Sequence, residues 1–272
     1  MSRRLLVIGM GAGSPAHLTL EAVEAINRAD VFFVFDKGEA AGELVALREH
    51  MLETHRRAPW RIARIDSPRR RAAPQIHPAR AAGAYKQDVT EWHLARAALL
   101  TERIAAELPE DGVGAMLVWG DPALYDSTLR VLEDVRARLP LAIEVIPGIS
   151  AVQALCAAHG LVLNAVGEKV VITTGRRVLE DYPRGGESLV VMLDDGTGLA
   201  ALIAHEAEMR AGGGPALALW WGAYLGMEEQ TLASGLLAEV GPEILAHRAE
   251  ARARRGWIMD VWLVRHGGSR AG

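Results

Sequence analysis

Several features that define common protein classes are scarce or missing in this sequence. The chain has one cysteine, Cys156, which excludes a disulfide within the chain and is expected to be a small core residue. No Cys/His cluster has the spacing of a metal site, and no Ser/His/Asp set suggests nucleophilic catalysis. We therefore expect no metal ion.

Long apolar runs and a strong excess of one charge are also missing. The apolar stretch at residues 5–8 is too short for a signal peptide or a membrane span, which predicts a cytoplasmic protein without membrane contact. The 30 Lys and Arg residues against 34 Asp and Glu residues give a net charge of −4. A protein with this balance is not expected to bind nucleic acid through its overall charge.

What the sequence does contain is a strong turn signal near its middle. An apolar run at residues 115–118 stops at Gly120-Asp121-Pro122, and an amphipathic segment follows. This pattern predicts a buried strand, a tight turn and a helix. Asp121 is then at the carboxyl end of a strand, where open α/β sheets bind their ligands. Gly120 would allow another group to approach the main chain closely.

The first 36 residues predict a strand, a glycine-rich loop, a helix and a second strand that ends at Asp36. Dinucleotide-binding folds share this order, with an acidic residue for the ribose at about this place. Their fingerprint expects its third glycine at position 14, where this chain has Ser14. An oxidoreductase that uses NAD therefore remains one alternative.

Arginine is concentrated in residues 56–80, where four prolines predict mostly loop. Such a segment is either a solvated basic loop or a surface that binds a polycarboxylate, because arginine pairs with carboxylates bidentately. A helix is predicted from about residue 85 to residue 107, with Ala95, Leu99 and Ile104 facing inward.

The second half has a different pattern. A strand at residues 141–146 ends in Pro-Gly-Ile-Ser, and an Ala-rich helix follows to His159. Five further strands, two of them adjacent near the end of the chain, predict a mixed sheet. We expect an α/β protein with two domains: residues 1–146 around a mostly parallel sheet, residues 147–268 around a mixed sheet, and a tail at 269–272.

Three motifs occur in order along the chain: the glycine-rich loop at residues 9–19, Trp-Gly-Asp-Pro at 119–122 and Val-Ile-Pro-Gly-Ile-Ser-Ala at 145–151. Their order, spacing and placement at strand ends resemble those of the tetrapyrrole (corrin and porphyrin) methylases over almost the whole chain. Residues 33–38 and the insert that holds Trp92 and His93 are most similar to one branch. That branch methylates precorrin-5 at C1 and releases its acetyl group as acetate during cobalamin biosynthesis.

The resemblance implies a homodimer whose subunits bind S-adenosyl-L-methionine in a cleft between two α/β domains, with a precorrin as substrate and S-adenosyl-L-homocysteine as product. Two positions depart from the family pattern: Ser14 replaces an aspartate, and Leu193-Asp194 replaces a common Met-Gly pair. The cofactor-binding residues that the resemblance implies are Gly9, Gly11, Ala12, Gly13, Gly120, Asp121, Leu124, Ser150, Ala151, Leu193, Gly222 and Ala223.

A sulfonium methyl donor is already activated, so the protein mainly has to align it with the acceptor carbon. Loss of the acetyl group would also need a general base. The candidates are Asp36 and His93, followed by His17 and Tyr85. Within the arginine-rich segment, we expect one wall of the substrate entrance at Arg69, Arg70 and Arg71.

Three functions thus remain open at the level of sequence. The first is the corrin methyltransferase, either for precorrin-5 or for another precorrin or uroporphyrinogen. The second is the NAD-dependent oxidoreductase. The third is a non-catalytic module that binds tetrapyrroles through the arginine-rich segment.

Overall fold

The structure, a computed structural model, describes residues 2–36, 42–68 and 78–267, with the backbone alone for 78–86. Arg69, Arg70 and Arg71, together with the predicted tail, lie outside these ranges. The chain divides into two compact units. The first consists of Met1–Gly11 with Pro15–Ile149, and the second of Ala12–Ser14 with Ser150–Gly272.

The first unit is built around five parallel strands in the order β3-β2-β4-β1-β5. Parallel sheets are covered on both faces, which explains why Leu5, Leu6, Val7 and Ile8 are all fully buried. Its strands are β1 (Arg3–Gly9), β2 (Val31–Asp36), β3 (Arg61–Asp66), β4 (Val113–Val118) and β5 (Leu141–Ile146). Its helices are α1 (Leu20–Arg28), α2 (Gly42–His55), α3 (Pro78–Glu107) and α4 (Thr128–Arg136), with a short 3₁₀ helix at Pro15–His17.

The order of these strands does not fit a dinucleotide-binding fold. In that fold the first strand lies beside the second, and the glycine loop joins such a neighbouring pair. Here β1 lies between β4 and β5, whereas β2 pairs with β3 and β4. The glycine loop and Asp36 are therefore on strands that are not neighbours, which removes the main structural argument for the oxidoreductase.

The predicted inward face of α3 is partly wrong. Ile104 is fully buried, but Ala95 is exposed and Leu99 is 36% exposed. The buried positions are instead Ala97 and Leu100, which lie on the same helical face as Ile104. The segment is rich in alanine and leucine, so its apolar pattern fits more than one rotation of the helix, and packing against the sheet selects one.

The second unit has a mixed sheet, as predicted, in the order β6-β7-β10-β8-β9. Only the β6–β7 pair is parallel among the pairs in this sheet. Its strands are β6 (Val170–Thr174), β7 (Ser188–Met192), β8 (Leu217–Ala223), β9 (Thr231–Leu236) and β10 (Asp260–His266). Its helices are α5 (Ala151–His159), α6 (Thr197–Ala211) and α7 (Leu237–Arg255), with a 3₁₀ helix at Gly175–Arg177.

A buried carboxylate, Asp194, begins helix α6. Its Oδ1 accepts hydrogen bonds from the backbone N–H groups of Gly196 (3.1 Å) and Gly198 (2.9 Å), and its Oδ2 accepts one from Leu199 (3.1 Å). Buried Arg248 donates from Nη2 to the Asp194 carbonyl oxygen over 2.6 Å. The first backbone N–H groups of a helix have no acceptor within it, and this carboxylate accepts their hydrogen bonds. The departure from the family pattern at this position thus has a structural role.

We expect Asp194→Ala to lower the free energy of unfolding by about 1–3 kcal/mol, because three backbone amides, two of them buried, lose their acceptor. Urea unfolding measures this loss. The matched control is Asp195→Ala on the same turn. Asp195 is exposed and accepts hydrogen bonds from the backbone N–H and the hydroxyl of Thr197, so its removal should cost less. Equal losses for the two variants would contradict the role given to Asp194.

None of the helices in the described ranges is long and apolar enough to cross a membrane.

Candidate functional site

The three sequence motifs of the first unit meet at one edge of its sheet. Gly9 ends β1, while Gly120 and Gly148 follow β4 and β5, the strands on either side of β1. A Cβ placed on Gly9 would lie 2.6 Å from Gly148 Cα and 2.9 Å from the Gly120 carbonyl oxygen. Such distances leave no room for a side chain, so the three turns touch through their main chains.

Two of these turns are also hydrogen-bonded to each other. Gly120 N donates to Gly11 O over 2.9 Å, and Gly11 N donates to Gly120 O over 3.3 Å. Both glycines have left-handed backbone angles, with φ of +66° and +78°. Residues with a side chain rarely adopt this backbone conformation, so glycine is needed for the pairing as well as for the close approach. The glycine loop and the Gly-Asp-Pro turn therefore form one connected surface.

Asp121 connects the second motif to the third. Its Oδ1 accepts a hydrogen bond from Ala123 N over 2.8 Å, within its own turn. Its Oδ2 accepts one from Gly148 N over 2.9 Å, across the end of β1. The carboxylate thus braces the turn after β5 against the turn after β4. The sequence pattern placed Asp121 at a strand end, but it gave no sign of this partner.

The residues after Asp121 complete a strained turn. Leu124, half-buried, donates its backbone N–H to the Asp121 carbonyl oxygen over 3.1 Å. Tyr125 follows with φ of +52° and a side chain that is 40% exposed. A bulky residue in the left-handed region costs about 1–3 kcal/mol and occurs mainly at functional sites. This turn is therefore a good candidate for contact with a ligand.

The remaining implied cofactor residues belong to the second unit. Gly13 lies against the segment after β8: a Cβ there would be 2.6 Å from Met227 Cγ and 2.7 Å from the Leu225 carbonyl oxygen. Buried Ala12 precedes it. Gly222 and Ala223 form the end of β8, so this unit brings the four implied residues toward the same strand end. Their roles in cofactor binding stay a prediction.

Leu193 lies at the same edge of the second sheet. β7 and β8 both run antiparallel to β10, so their carboxyl ends lie on the same side. Leu193 follows β7 with φ of +51° and is 64% exposed, and Tyr224 follows β8 with φ of +52°. Two bulky residues in left-handed conformation at one sheet edge are a further sign of a binding surface.

Ser150 and Ala151 begin helix α5. Ser150 is buried, and its Oγ accepts a hydrogen bond from Val152 N over 3.2 Å, while Gln153 Oε1 accepts one from Ser150 N over 3.0 Å. This reciprocal pair is a capping box. The Ser150 hydroxyl is therefore engaged in starting the helix, and the role of Ser150 in cofactor binding stays a prediction.

The residues that precede the two main base candidates both contact one guanidinium group, that of Arg96 on α3. The Arg96 Cζ lies 3.9 Å from the ring centroid of Phe35, the residue before Asp36, and 4.5 Å from that of Trp92, the residue before His93. Asp36 Oδ2 is 3.8 Å from Arg64 Nη1. The carboxylate of Asp36 thus ends β2 with a cation beside it.

Of the other two base candidates, the structure describes the side chain of His17 but not that of Tyr85. His17 packs against Gly11, where any Cβ would overlap the His17 Cβ. Burial lowers the pKa of His17, and its Nδ1 has no hydrogen-bond partner within the described ranges. The side chain of Tyr85 lies outside the described residues. No group of three or more His, Cys, Asp or Glu side chains in the part of the chain that is described could hold a metal ion.

Two arginines at this edge were missed by sequence reasoning. Arg48 donates from Nε to the Leu117 carbonyl oxygen over 3.0 Å and from Nη1 to that of Leu44 over 2.7 Å. Burial lowers its pKa, and nearby Asp126 opposes the shift. Neither Arg48 nor Arg96 belongs to a charge run, and each is an ordinary residue of a helix in sequence. Only packing against the sheet distinguishes them.

The fold and the meeting glycine turns define the class of this protein. A family model described as Tetrapyrrole (Corrin/Porphyrin) Methylases matches residues 4–241. The chain therefore belongs to the tetrapyrrole methylases and is a methyltransferase. The resemblance inferred from the three motifs is confirmed, and so is the α/β fold with one parallel and one mixed sheet.

Among its relatives, the precorrin-6A synthase [deacetylating] of a Sinorhizobium species is 42% identical over 268 residues, which cover 97% of this chain and 96% of the relative. A solved structure of a cobalamin synthesis related protein (CobF) from Corynebacterium diphtheriae is 35% identical. Its TM-score is 0.76, with coverage of 98% of this chain and 99% of that one. The uroporphyrin-III C-methyltransferase of Thermus thermophilus, complexed with S-adenyl homocysteine, shares the fold. It has 20% identity, a TM-score of 0.54 and coverage of 96% and 92%.

We expect Gly148→Ala to destabilise the protein by about 1–3 kcal/mol, because the added methyl group would overlap main-chain atoms of Gly9 and Gly120 that cannot move independently. Thermal unfolding measures the change. The matched control is Gly42→Ala at the start of α2, where a Cβ would meet nothing within 4 Å. That variant should be neutral or slightly stabilising. A stable Gly148→Ala protein would show that the turns do not depend on main-chain contact.

Proposed function

We propose that this methyltransferase methylates precorrin-5 at C1 and releases the acetyl group as acetate, in cobalamin biosynthesis. The observation that carries the proposal is the 42% identity to a precorrin-6A synthase [deacetylating] across nearly the full length of both chains. The 35% identical CobF structure, matched over almost all of both chains, gives independent support.

The methyl donor in this proposal is S-adenosyl-L-methionine, which supplies a methyl group already activated on a sulfonium sulfur. The residues present fit such a ligand, because the turns that contain Gly9, Gly11 and Gly120 meet at the carboxyl edge of a parallel sheet, where open α/β sheets bind their ligands. Asp121 keeps these turns in position through its bonds to Ala123 and Gly148. The complex of a 20% identical relative with S-adenyl homocysteine is consistent with this choice of ligand.

The residues near the glycine turns act by orientation in this proposal. When the methyl donor and the acceptor carbon are held in line, their reaction becomes effectively unimolecular. This orientation lowers the activation barrier by several kcal/mol. A rigid set of turns suits that task, since Gly9, Gly120 and Gly148 touch through atoms that have no rotamers. The exposed, strained Tyr125 lies five residues beyond Gly120, and we expect it to contact the substrate.

Acetate release requires proton transfer, and we assign this task to Asp36 or His93. Water adds to the acetyl carbonyl as its proton passes to the base; the bond from the ring to the acetyl carbon then breaks, and its electron pair stays with the ring. A carboxylate at the end of β2 can accept that proton. Arg64, 3.8 Å from Asp36, orients this carboxylate and also pairs with Glu49 over 2.6 Å.

A homodimer, implied by the family resemblance, and a cytoplasmic location, expected because the apolar stretch at residues 5–8 is short, complete the proposal. Light scattering of the purified protein and cell fractionation test these two parts separately from the reaction.

The decisive experiment is incubation of the protein with precorrin-5 and methyl-labelled S-adenosyl-L-methionine. We expect a product that has gained one labelled methyl group and lost one acetyl group, with acetate released in equal amount, as read by mass spectrometry. S-adenosyl-L-homocysteine should raise the melting temperature, since a ligand that binds only the folded state stabilises it by about 2.7 kcal/mol at a hundred times its Kd.

The controls for this experiment are NAD and other tetrapyrroles. NAD should leave the melting temperature unchanged. Methylation of another precorrin or of uroporphyrinogen, with precorrin-5 untouched, would move the assignment to a different methyltransferase of the family.

The general base can be identified by separating the two steps. We expect Asp36→Asn to slow acetate release by about 100-fold, in the range of general-base effects, while methyl transfer changes much less. A methylated intermediate that retains the acetyl group should then accumulate. His93→Gln tests the second candidate in the same assay.

Glu49→Gln is the matched control for this experiment. Glu49 shares Arg64 with Asp36 but is not placed as a base. If Glu49→Gln slows acetate release as much as Asp36→Asn does, both substitutions act by changing the position of Arg64. If Asp36→Asn slows both steps equally, Asp36 has no selective role in acetate release.

A further inference from the structure

Arg96 is held between two aromatic rings on the first unit. Its Cζ is 3.9 Å from the ring centroid of Phe35 and 4.5 Å from that of Trp92. The indole of Trp92 is itself fixed, because its Nε1 donates to the Pro68 carbonyl oxygen over 2.9 Å. A guanidinium between aromatic rings is stabilised by cation–π attraction and by stacking of its planar group. It therefore has little rotational freedom. The cation is therefore presented in one orientation.

The hydrogen-bonding capacity of Arg96 is largely unused. Its Nη1 donates to Ser127 Oγ over 3.3 Å, but its buried Nε has no partner within the described residues. No carboxylate in the described ranges forms an ion pair with it. Burial lowers the pKa of Arg96 to about 10, and the charge of Asp126 opposes the shift. The group therefore stays protonated at neutral pH and keeps its positive charge.

Two buried arginines of this protein have more partners. Arg248 pairs with Asp260 and donates to the Asp194 carbonyl oxygen, although its Nε has no partner within the described residues. Arg265 donates from Nε to Ser188 Oγ over 2.6 Å and from Nη2 to a carbonyl oxygen. Arg96 makes a single hydrogen bond in the described ranges, and a partly buried cation with so few partners is expensive unless a ligand completes it.

The position of Arg96 indicates which ligand that would be. Phe35 and the following Asp36 end β2, and Ser127 directly precedes α4 after the Gly-Asp-Pro turn. β2 and β4 are neighbouring parallel strands, so Arg96 lies at the carboxyl edge of the sheet, where the glycine turns also lie. A substrate at this edge would meet a preorganised cation.

We propose that Arg96 binds a carboxylate of the tetrapyrrole substrate, an inference that rests on the proposed function. A precorrin carries acetate and propionate side chains around its ring, and the planar fork of arginine matches a carboxylate with two parallel hydrogen bonds. The bound carboxylate fixes the macrocycle relative to Asp36 and the glycine turns. Arg96 is thus a positioning and specificity residue, whereas the methyl transfer itself involves other groups.

The test compares Arg96→Met with Arg103→Met on the same helix, where Arg103 is exposed and pairs with Glu107. We expect Arg96→Met to raise KM for precorrin-5 about 10-fold to 100-fold, the loss typical of a hydrogen bond to a charged group, with little change in kcat. Affinity for S-adenosyl-L-homocysteine should not change in either variant. Arg103→Met should have the KM of the wild type.

Stability distinguishes this role from a structural one. Replacing a partly buried charge that has no ion-pair partner in the described ranges by an apolar side chain of similar volume is often neutral or stabilising, so Arg96→Met should keep or raise the melting temperature. A loss of melting temperature together with lost S-adenosyl-L-homocysteine binding would overturn the proposal. Arg96→Lys keeps the charge but not the planar fork, so its KM should lie between those of the wild type and Arg96→Met.

A binding assay separates failure of this inference from failure of the proposed function. Uroporphyrin, which carries acetate and propionate side chains, is titrated against each variant by absorption, without any turnover. Weaker binding by Arg96→Met alone supports the inference even if the wild type does not convert precorrin-5, a result that would reject only the proposed function. Equal binding and equal KM for Arg96→Met and Arg103→Met would overturn the role of Arg96.

Discussion

Direct contact between the main chains of Gly9, Gly120 and Gly148 is the constraint on which the candidate site depends. The strands β4, β1 and β5 lie side by side, so their turns must share one small volume at the sheet edge. Side chains at these positions would overlap backbone atoms, and the close approach is completed by the carboxylate of Asp121. We expect the resulting surface to be rigid, because it consists of backbone atoms in direct contact that are also hydrogen-bonded to one another and to Asp121. A reaction that depends on alignment of two ligands benefits from such a surface.

Buried charge is used in two ways in this molecule. In the second unit, Asp194 caps helix α6 while Arg248 connects its carbonyl oxygen with the carboxylate of Asp260, which also accepts a hydrogen bond from Trp221. That network connects each charged group with partners in the protein and stabilises the fold. In the first unit, Arg96 is held by aromatic rings and has a donor without a partner among the residues described. The contrast separates charge that maintains structure from charge that is available to a ligand.

Departure from a family pattern need not weaken a site when another interaction replaces the one that is lost. Asp194 takes a place where relatives commonly have a small residue, and the structure uses its carboxylate for three backbone amides. Leu193 before it adopts a left-handed conformation, as does Tyr224 at the same edge of the sheet. The strain at this edge is held by the capped helix and by the paired strands around it.

The sequence by itself determined the strands, the turns and the family. Buried parallel strands are continuous apolar runs that end at Gly and Pro, so residues 141–146 were identified with the bounds that β5 has. Only the tertiary structure decided which face of α3 packs inward, that Asp121 bonds Gly148, and that Arg96 meets Phe35. Each of these depends on segments far apart in the chain: Asp121 and Gly148 come together because β1 separates β4 from β5 by one strand. A local sequence pattern gives the periodicity of a helix or strand. Packing decides which face of that element is buried and which distant residues it contacts.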